Sequence, residues 1–195
     1  MFSLAQFLEE IKVANISIGK KGYRMDGTGP NSMRHHANLG SGNCCDYLIK
    51  NEESFVLIEE TQLSGTIQKY KDAYPDLSGK ALLDLTVQLI RDENRLKVFF
   101  ALLVLCRLEA KYPKFKQITH AKKRRVWGFK RTTHAKKFHV WLVVTIARSN
   151  MIVLQHVKNR LPGALGGTIG KDMESFEVVL GKSLKSKISA YAPTY

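Results

Sequence analysis

The chain has 195 residues, 44% hydrophobic and 25% charged, enough for one α/β domain over 1–195 with a real core, and its formal net charge is +14. That charge is uneven: residues 1–109 hold 13 Lys/Arg against 14 Asp/Glu, residues 110–171 hold 15 Lys/Arg and no acid, and residues 172–195 hold three of each. The start lacks the pattern of a secretory signal, and the longest apolar run, 98–106, is far short of the roughly 20 residues of a membrane span, so a membrane protein is excluded and a cytoplasmic one expected.

In chain order, Ser3 is a plausible N-cap, and Leu4, Phe7, Leu8, Ile11 and Val13 predict a helix over 3–14. Residues 17–43 are rich in Gly, Asn, Ser and His and predict a long loop with a short strand near Tyr23. Two apolar runs, 45–49 and 55–63, flank Asn51-Glu52-Glu53-Ser54 and predict a β-hairpin. Residues 66–74 read as a helix ending before Pro75, and 80–96 as another. The apolar segment 97–112 fits either helix or buried strand; its Ala, Leu and Arg favour helix, ended by Pro113. After the basic segment 114–137, residues 138–147 predict a strand and 151–161 a short helix stopping before Pro162. A Gly-rich turn over 163–170 and a strand over 176–180 follow, and this order predicts a mixed central β-sheet flanked by helices. Cys44, Cys45 and Cys106 form no Cys-x-x-Cys and read as small buried residues in a reducing compartment. His35, His36, His120, His134 and His139 match no metal-ligand spacing.

The hairpin brings acids together. With its turn on Glu52 and Glu53, Asp46 faces Glu59; with a bulge or shifted turn it faces Glu60. Opposed carboxylates repel one another and call for a cation, and Mg²⁺, which takes a few carboxylate oxygens plus waters, suits them. Alternation along the second strand puts Glu60 and Gln62 on one face, where they can hold a metal and position a water.

Over residues 45–74 the chain resembles the PD-(D/E)xK nuclease superfamily. Asp46 opens the hairpin, Phe-Val-Leu-Ile forms the second strand, Glu60-Thr61-Gln62 stands in the E-x-K slot, and a helix follows. The resemblance implies a restriction endonuclease-like fold and a metal-dependent phosphodiesterase, with Asp46 and Glu60 as Mg²⁺ ligands and Gln62 in the place usually held by lysine. It also implies that an acid near the N-terminus, Glu9 or Glu10, completes the site. Cys45 stands where the family has proline, and Lys69 or Lys71 is a candidate for the missing lysine charge.

The basic segment interleaves cations with Phe115, Trp127, Phe129 and Phe138, and Thr-His-Ala-Lys-Lys occurs twice, at 119–123 and 133–137. Such a segment attracts polyanions, and without an amphipathic basic helix it favours nucleic acid over membrane. The echo fits a β-ribbon around Gly128 as well as chance in a Lys-rich stretch. The phosphate-contact candidates are Lys122, Lys123, Arg124, Arg125, Lys130, Arg131, Lys136 and Lys137. The leading reading is thus a Mg²⁺-dependent DNA endonuclease using Asp46, Glu60 and Gln62. A non-catalytic nucleic-acid-binding subunit and a structural RNA-binding protein stand behind it. A homodimer and a place in a larger assembly both stay open.

Overall fold

The computed structural model describes residues 3–40, 42–122, 133–145, 151–166 and 173–192. Its centre is a six-stranded mixed sheet built from β1 (Leu8–Val13), β2 (Ile16–Arg24), β3 (Tyr47–Lys50), β4 (Ser54–Gln62), β7 (Lys137–Thr145) and β8 (Met173–Leu180). These strands lie side by side in that order; β1 to β4 pair antiparallel, whereas β4, β7 and β8 run parallel. The helices are α1 (Met33–His36), α2 (Leu63–Ala73), α3 (Gly79–Lys111), α4 (Lys116–Thr119), α5 (Met151–Gly166) and α6 (Gly181–Tyr191). Among the described residues no helix is long and apolar enough to cross a membrane.

β4 is buried from Ser54 to Glu59, so both of its faces are covered. Its odd-numbered Phe55 and Leu57 pack with Phe138, Val140 and Leu142 of β7 against Val98, Ala101 and Leu105 of α3 and Leu154 of α5. Its even-numbered Val56 and Ile58 pack with Trp141, Val143, Ile11 and Val13 against Leu184 and Ile188 of α6. A strand with helices on both faces reads as a continuous apolar run, and Phe-Val-Leu-Ile does.

The expected hairpin is present: Lys50 pairs with Phe55 and Tyr47 with Ile58. The helix expected over 3–14 is not. A 3-10 turn over Leu4–Phe7 gives way to β1, which turns into β2 through Ala14 and Asn15, both at positive φ. That two-residue turn, with φ > 0 at both positions, suits a twisted hairpin, and Ile11 and Val13, two residues apart, follow the period of a strand, whereas Leu4, Phe7, Leu8 and Ile11 follow that of a helix. The predicted loop therefore shortens at its start, where β2 takes residues 16–24. The helix expected over 80–96 continues through the segment 97–112, as its Ala, Leu and Arg favour over a buried strand, and forms one 33-residue helix, α3. α5 runs through Pro162 to Gly166 instead of stopping before it, its packing against α3 and β8 offsetting the lost backbone bond. In the basic segment the two Thr-His-Ala-Lys-Lys copies pair: β5 (His120–Lys122) lies antiparallel to β6 (Thr133–Ala135), with Ala121 opposite His134.

Between β2 and β3 the chain is tied down by Arg34. Its buried guanidinium makes an ion pair with Asp26 at 2.9 Å and donates to the carbonyls of Gly27 and Gly42. The Met25 N–H donates to the Asp46 carbonyl at 2.9 Å, so this loop sets where Asp46 stands. Removing one partner of a buried pair leaves the other uncompensated. Arg34→Ala should therefore cost about 3 kcal/mol in urea denaturation; a loss below about 1 kcal/mol, the scale of an exposed ion pair, would show that the loop is held by other contacts.

Candidate active site

The C-terminal end of β4 carries two adjacent acids that alternation sends to opposite sides of the sheet. Glu59 enters the layer under α3, where it is 2% exposed. There Lys97 of α3 donates to Glu59 Oε1 and also meets Glu93, one helical turn earlier, at 3.0 Å. Glu59 Oε2 is buried with no hydrogen-bond partner among the described residues. Burial, then the neighbouring Asp46 charge, pushes the Glu59 carboxyl well above the ordinary range. Burial works against the Lys97 charge, but Glu59 and Glu93 outweigh it and its pKa lies above that of an ordinary lysine.

Glu60 goes the other way. Its Oε1 accepts from the Ala14 N–H at 2.7 Å, which ties the β1–β2 turn to β4. Its own N–H donates to Asp46 Oδ2 at 2.7 Å. The register places Asp46, one residue before β3, opposite Glu59, while its carboxylate reaches along the strand to the Glu60 backbone. Asp46 and Glu60 line a cleft of about 350 Å³ together with Glu9, Asp26 and Arg24. Burial raises the Asp46 pKa to about 6; the Glu60 N–H and Lys97 pull it down, and the charges of Asp26 and Glu60 push it up.

Glu60 also borders a second cleft, of about 270 Å³, on its other flank. Gln62, Lys69, Glu93 and Lys97 line this one. Gln62 and Lys69 are exposed, and Lys71 sits on the exposed side of α2 and does not line the cleft. Of the two lysines on α2 offered for the substitute charge, Lys69 lines this cleft, and Lys97 of α3, which the sequence did not single out, lines it too and meets both Glu59 and Glu93. Only the pairing with Glu59, 38 residues earlier, reveals it.

Of the acids considered for completing the site, Glu9 lines the first cleft and pairs with Arg24 at 3.2 Å, whereas Glu10 accepts from Ser17. Both stand on β1 rather than on a helix. Among the described residues no three His, Cys, Asp or Glu side chains are grouped to hold a metal ion. Asp46 and Glu60 each have one oxygen on a backbone N–H and, among the described residues, no hydrogen bond to the other. Two such oxygens, in a cleft where four carboxylates face the two cations Lys12 and Arg24, suit a hard cation that keeps most of its waters.

Of the phosphate-contact candidates, Lys123, Arg124, Arg125, Lys130 and Arg131 lie outside the described residues, and the backbone of Lys122 lies on β5. Lys136 is buried and donates to the Asn51 carbonyl, and desolvation lowers its pKa to about 8, so it serves the fold at the hairpin turn and not the surface. Lys137 is 65% exposed beside Glu174. Cys44 and Cys45 are buried, as expected, and burial raises both thiols; Cys106 is exposed, against expectation. His35 and His36 lie on α1 with their rings edge to face at 5.6 Å.

Compared with known proteins, the chain matches no family model, no curated protein and no solved structure.

The raised Asp46 pKa makes a prediction about the metal-free protein. A carboxyl with a folded pKa above its unfolded value stabilises the fold fully at low pH, and that contribution is lost as pH rises from 3.8 through about 6. Asn at 46 keeps an oxygen for the Glu60 N–H without the charge. Asp46→Asn should accordingly gain about 2–3 kcal/mol over the wild type at pH 8 and nothing at pH 3.5, read by denaturant titration at both pH values. A variant less stable than the wild type at pH 8 would show that Asp46 is well paired as an anion.

Proposed function

We propose that this protein is a metal-dependent nuclease acting on DNA, with its reactive centre at the end of β4. The observation that carries the reading is the Asp46 carboxylate seated on the Glu60 backbone, so that acids from neighbouring strands share one cleft. Support also comes from the resemblance of residues 45–74 to the PD-(D/E)xK superfamily and from a mixed sheet with the helix α2 directly after Glu60-Thr61-Gln62. The restriction endonuclease-like fold is part of the same proposal.

Asp46 and Glu60 would hold a Mg²⁺ ion. Such an ion, when bound, lowers the pKa of its water and stabilises charge on a phosphate. The residues of the chain supply the rest. The Gln62 amide, in the second cleft beside Glu60, can accept from and orient an attacking water. An ammonium has three N–H donors; Lys97 gives one to Glu59 and one to Glu93, which leaves one for a phosphate oxygen. Glu59 acts as a positioning residue that holds Lys97 there. Lys69 adds a second cation to the same cleft. The cations of 110–171 would neutralise phosphates along the bound strand.

Purified protein with Mg²⁺ should nick plasmid DNA. Asp46→Ala and Glu60→Ala should each lower the rate at least about 100-fold, and Lys97→Met should lower it about 10- to 100-fold. Mg²⁺ should also raise the melting temperature of the wild type at pH 8 but not that of Asp46→Asn, by mass action on the folded state. Equal nicking by wild type and Asp46→Ala would remove the site. Tight DNA binding without cleavage in any divalent ion would instead identify a non-catalytic binding subunit.

Binding itself should weaken steeply with salt, the logarithm of affinity falling by about 0.9 per phosphate neutralised for each log unit of salt. Reversing the charges at residues 122–125 should flatten that slope. A salt-independent affinity measured by fluorescence anisotropy would exclude phosphate recognition by this segment.

A further inference from the structure

The helix α3 carries a second surface that the proposed site does not use. Its inner face, with Ile90, Asn94, Val98, Ala101, Leu105 and Leu108, is buried. On the opposite side Leu96 is 69% exposed, Phe99 42% and Leu103 44%, and the exposed Cys106 and Ala110 continue the line. These five residues are spaced three, four, three and four apart, the a and d positions of a heptad repeat. At 100° per residue the stripe runs diametrically across from Ala101. An exposed apolar seam with this period fits another helix.

The flanking charges select which helix. With Leu96, Leu103 and Ala110 at a, the e positions are Glu93, Phe100 and Arg107, and the g positions are Arg95, Leu102 and Glu109. When two copies of α3 cross antiparallel about a two-fold axis that passes through the seam at the level of residue 101, each a position meets a d position: Leu96 meets Cys106 and Phe99 meets Leu103. In that orientation e meets e and g meets g, so Glu93 faces Arg107 and Arg95 faces Glu109, each opposite charges. A parallel pair sets g against e of the next heptad, Arg95 against Phe100 and Leu102 against Arg107, with no charge matched. Self-complementarity of this kind, where residue i meets j and j meets i, is what an isologous interface requires. Within the chain Glu93 already holds Lys97 and Glu109 accepts from Thr119; a carboxylate has acceptor sites for a second cation. Arg95 lies over the Phe99 ring at 5.7 Å, so it borders the seam directly.

We propose that two copies of this chain associate through the α3 seam 92–110 in antiparallel register. The inference is independent of the nuclease reading. Cys106 gives it a sharp test, because Cys44 and Cys45 are buried. In the antiparallel register the two Cys106 residues lie at opposite ends of the seam, about 15 Å apart along the axis, and each faces Leu96 of the other copy. Mild oxidation should leave the wild type uncrosslinked and convert Leu96→Cys into a reducible covalent dimer on a non-reducing gel. By sedimentation equilibrium the wild type should show twice its 22.1 kDa chain mass at tens of micromolar. Leu103→Glu, an exposed position, should keep the circular dichroism melt and raise the dissociation constant about 100-fold or more by putting a charge into the seam. A wild type that stays monomeric, a dimer untouched by Leu103→Glu, or a Cys106 disulfide in the wild type with none gained by Leu96→Cys would each overturn the proposal.

Discussion

The constraint behind the candidate site is that β4 is buried on both faces and yet carries two consecutive acids near its C-terminal end. An extended strand cannot turn neighbouring side chains to the same side. Glu59 must therefore go into the layer under α3, and a lone buried carboxylate there would be costly. Lys97 answers that cost, and in doing so it pins the middle of α3 over the end of β4. Glu60 is left to emerge on the other side, where the β1–β2 turn and Asp46 meet it through two backbone hydrogen bonds. The β1–β2 hairpin, the loop held by Arg34 and the long helix are thus fastened at one place, the strand end that carries the acids.

Electrostatically the molecule divides its labour. The first cleft at the end of β4 gathers Glu9, Asp26, Asp46 and Glu60 beside Lys12 and Arg24, and burial first, then the charges of Asp26 and Glu60, lift the Asp46 pKa. Strong perturbation of titrating groups in a cleft is a mark of functional sites more than of structural ones. The excess of cations lies elsewhere in the chain, in 110–171. The paired Thr-His-Ala-Lys-Lys strands bracket the densest run of it, residues 123–132, in the sequence. A polyanion drawn in by those cations would be repelled by the acid clefts unless a counter-ion were there. The two charge patterns make sense together more readily than apart.

Most of this was legible in the residues, and the misses share a cause. Period-2 alternation and the polar turn at 51–54 located the β3–β4 hairpin and both acids, because a hairpin is local and its register follows from its turn. The first segment misleads because Leu4, Phe7, Leu8 and Ile11 keep helical spacing, and only Ile11 and Val13 show the alternation of a strand. The deciding signal was the Ala14-Asn15 turn, whose positive φ values an alanine does not advertise. Helix α6 was not foreseen at all: its apolar positions, Leu184 and Ile188, are few, and it is held by packing on Trp141 and Val143 of the sheet. Pro162 argued for a stop that tertiary contacts overrode. The Lys97 contact could not be read, since nothing in a helical pattern says which distant strand a lysine will meet.

On the proposed nuclease reading, that contact also bears on how glutamine could serve at position 62. In the family pattern the lysine sits two residues after the acid, at the end of the same strand. Here that position is exposed at the entrance to α2, and the cation comes across from α3 instead, into a cleft that Glu60 and Gln62 share. A buried ion pair is a weak device for stability alone, since a well-packed apolar pair of the same size serves a core as well or better. A buried Glu59 holding Lys97 at the wall of a cleft, with one carboxylate oxygen unpartnered among the described residues, is poor engineering for a core and, on the proposed reading, good engineering for holding a cation next to a phosphate. On the proposed reading, the positive charge has moved from strand to helix while keeping its place beside the acid, and Gln62 is free to act as a neutral partner for water.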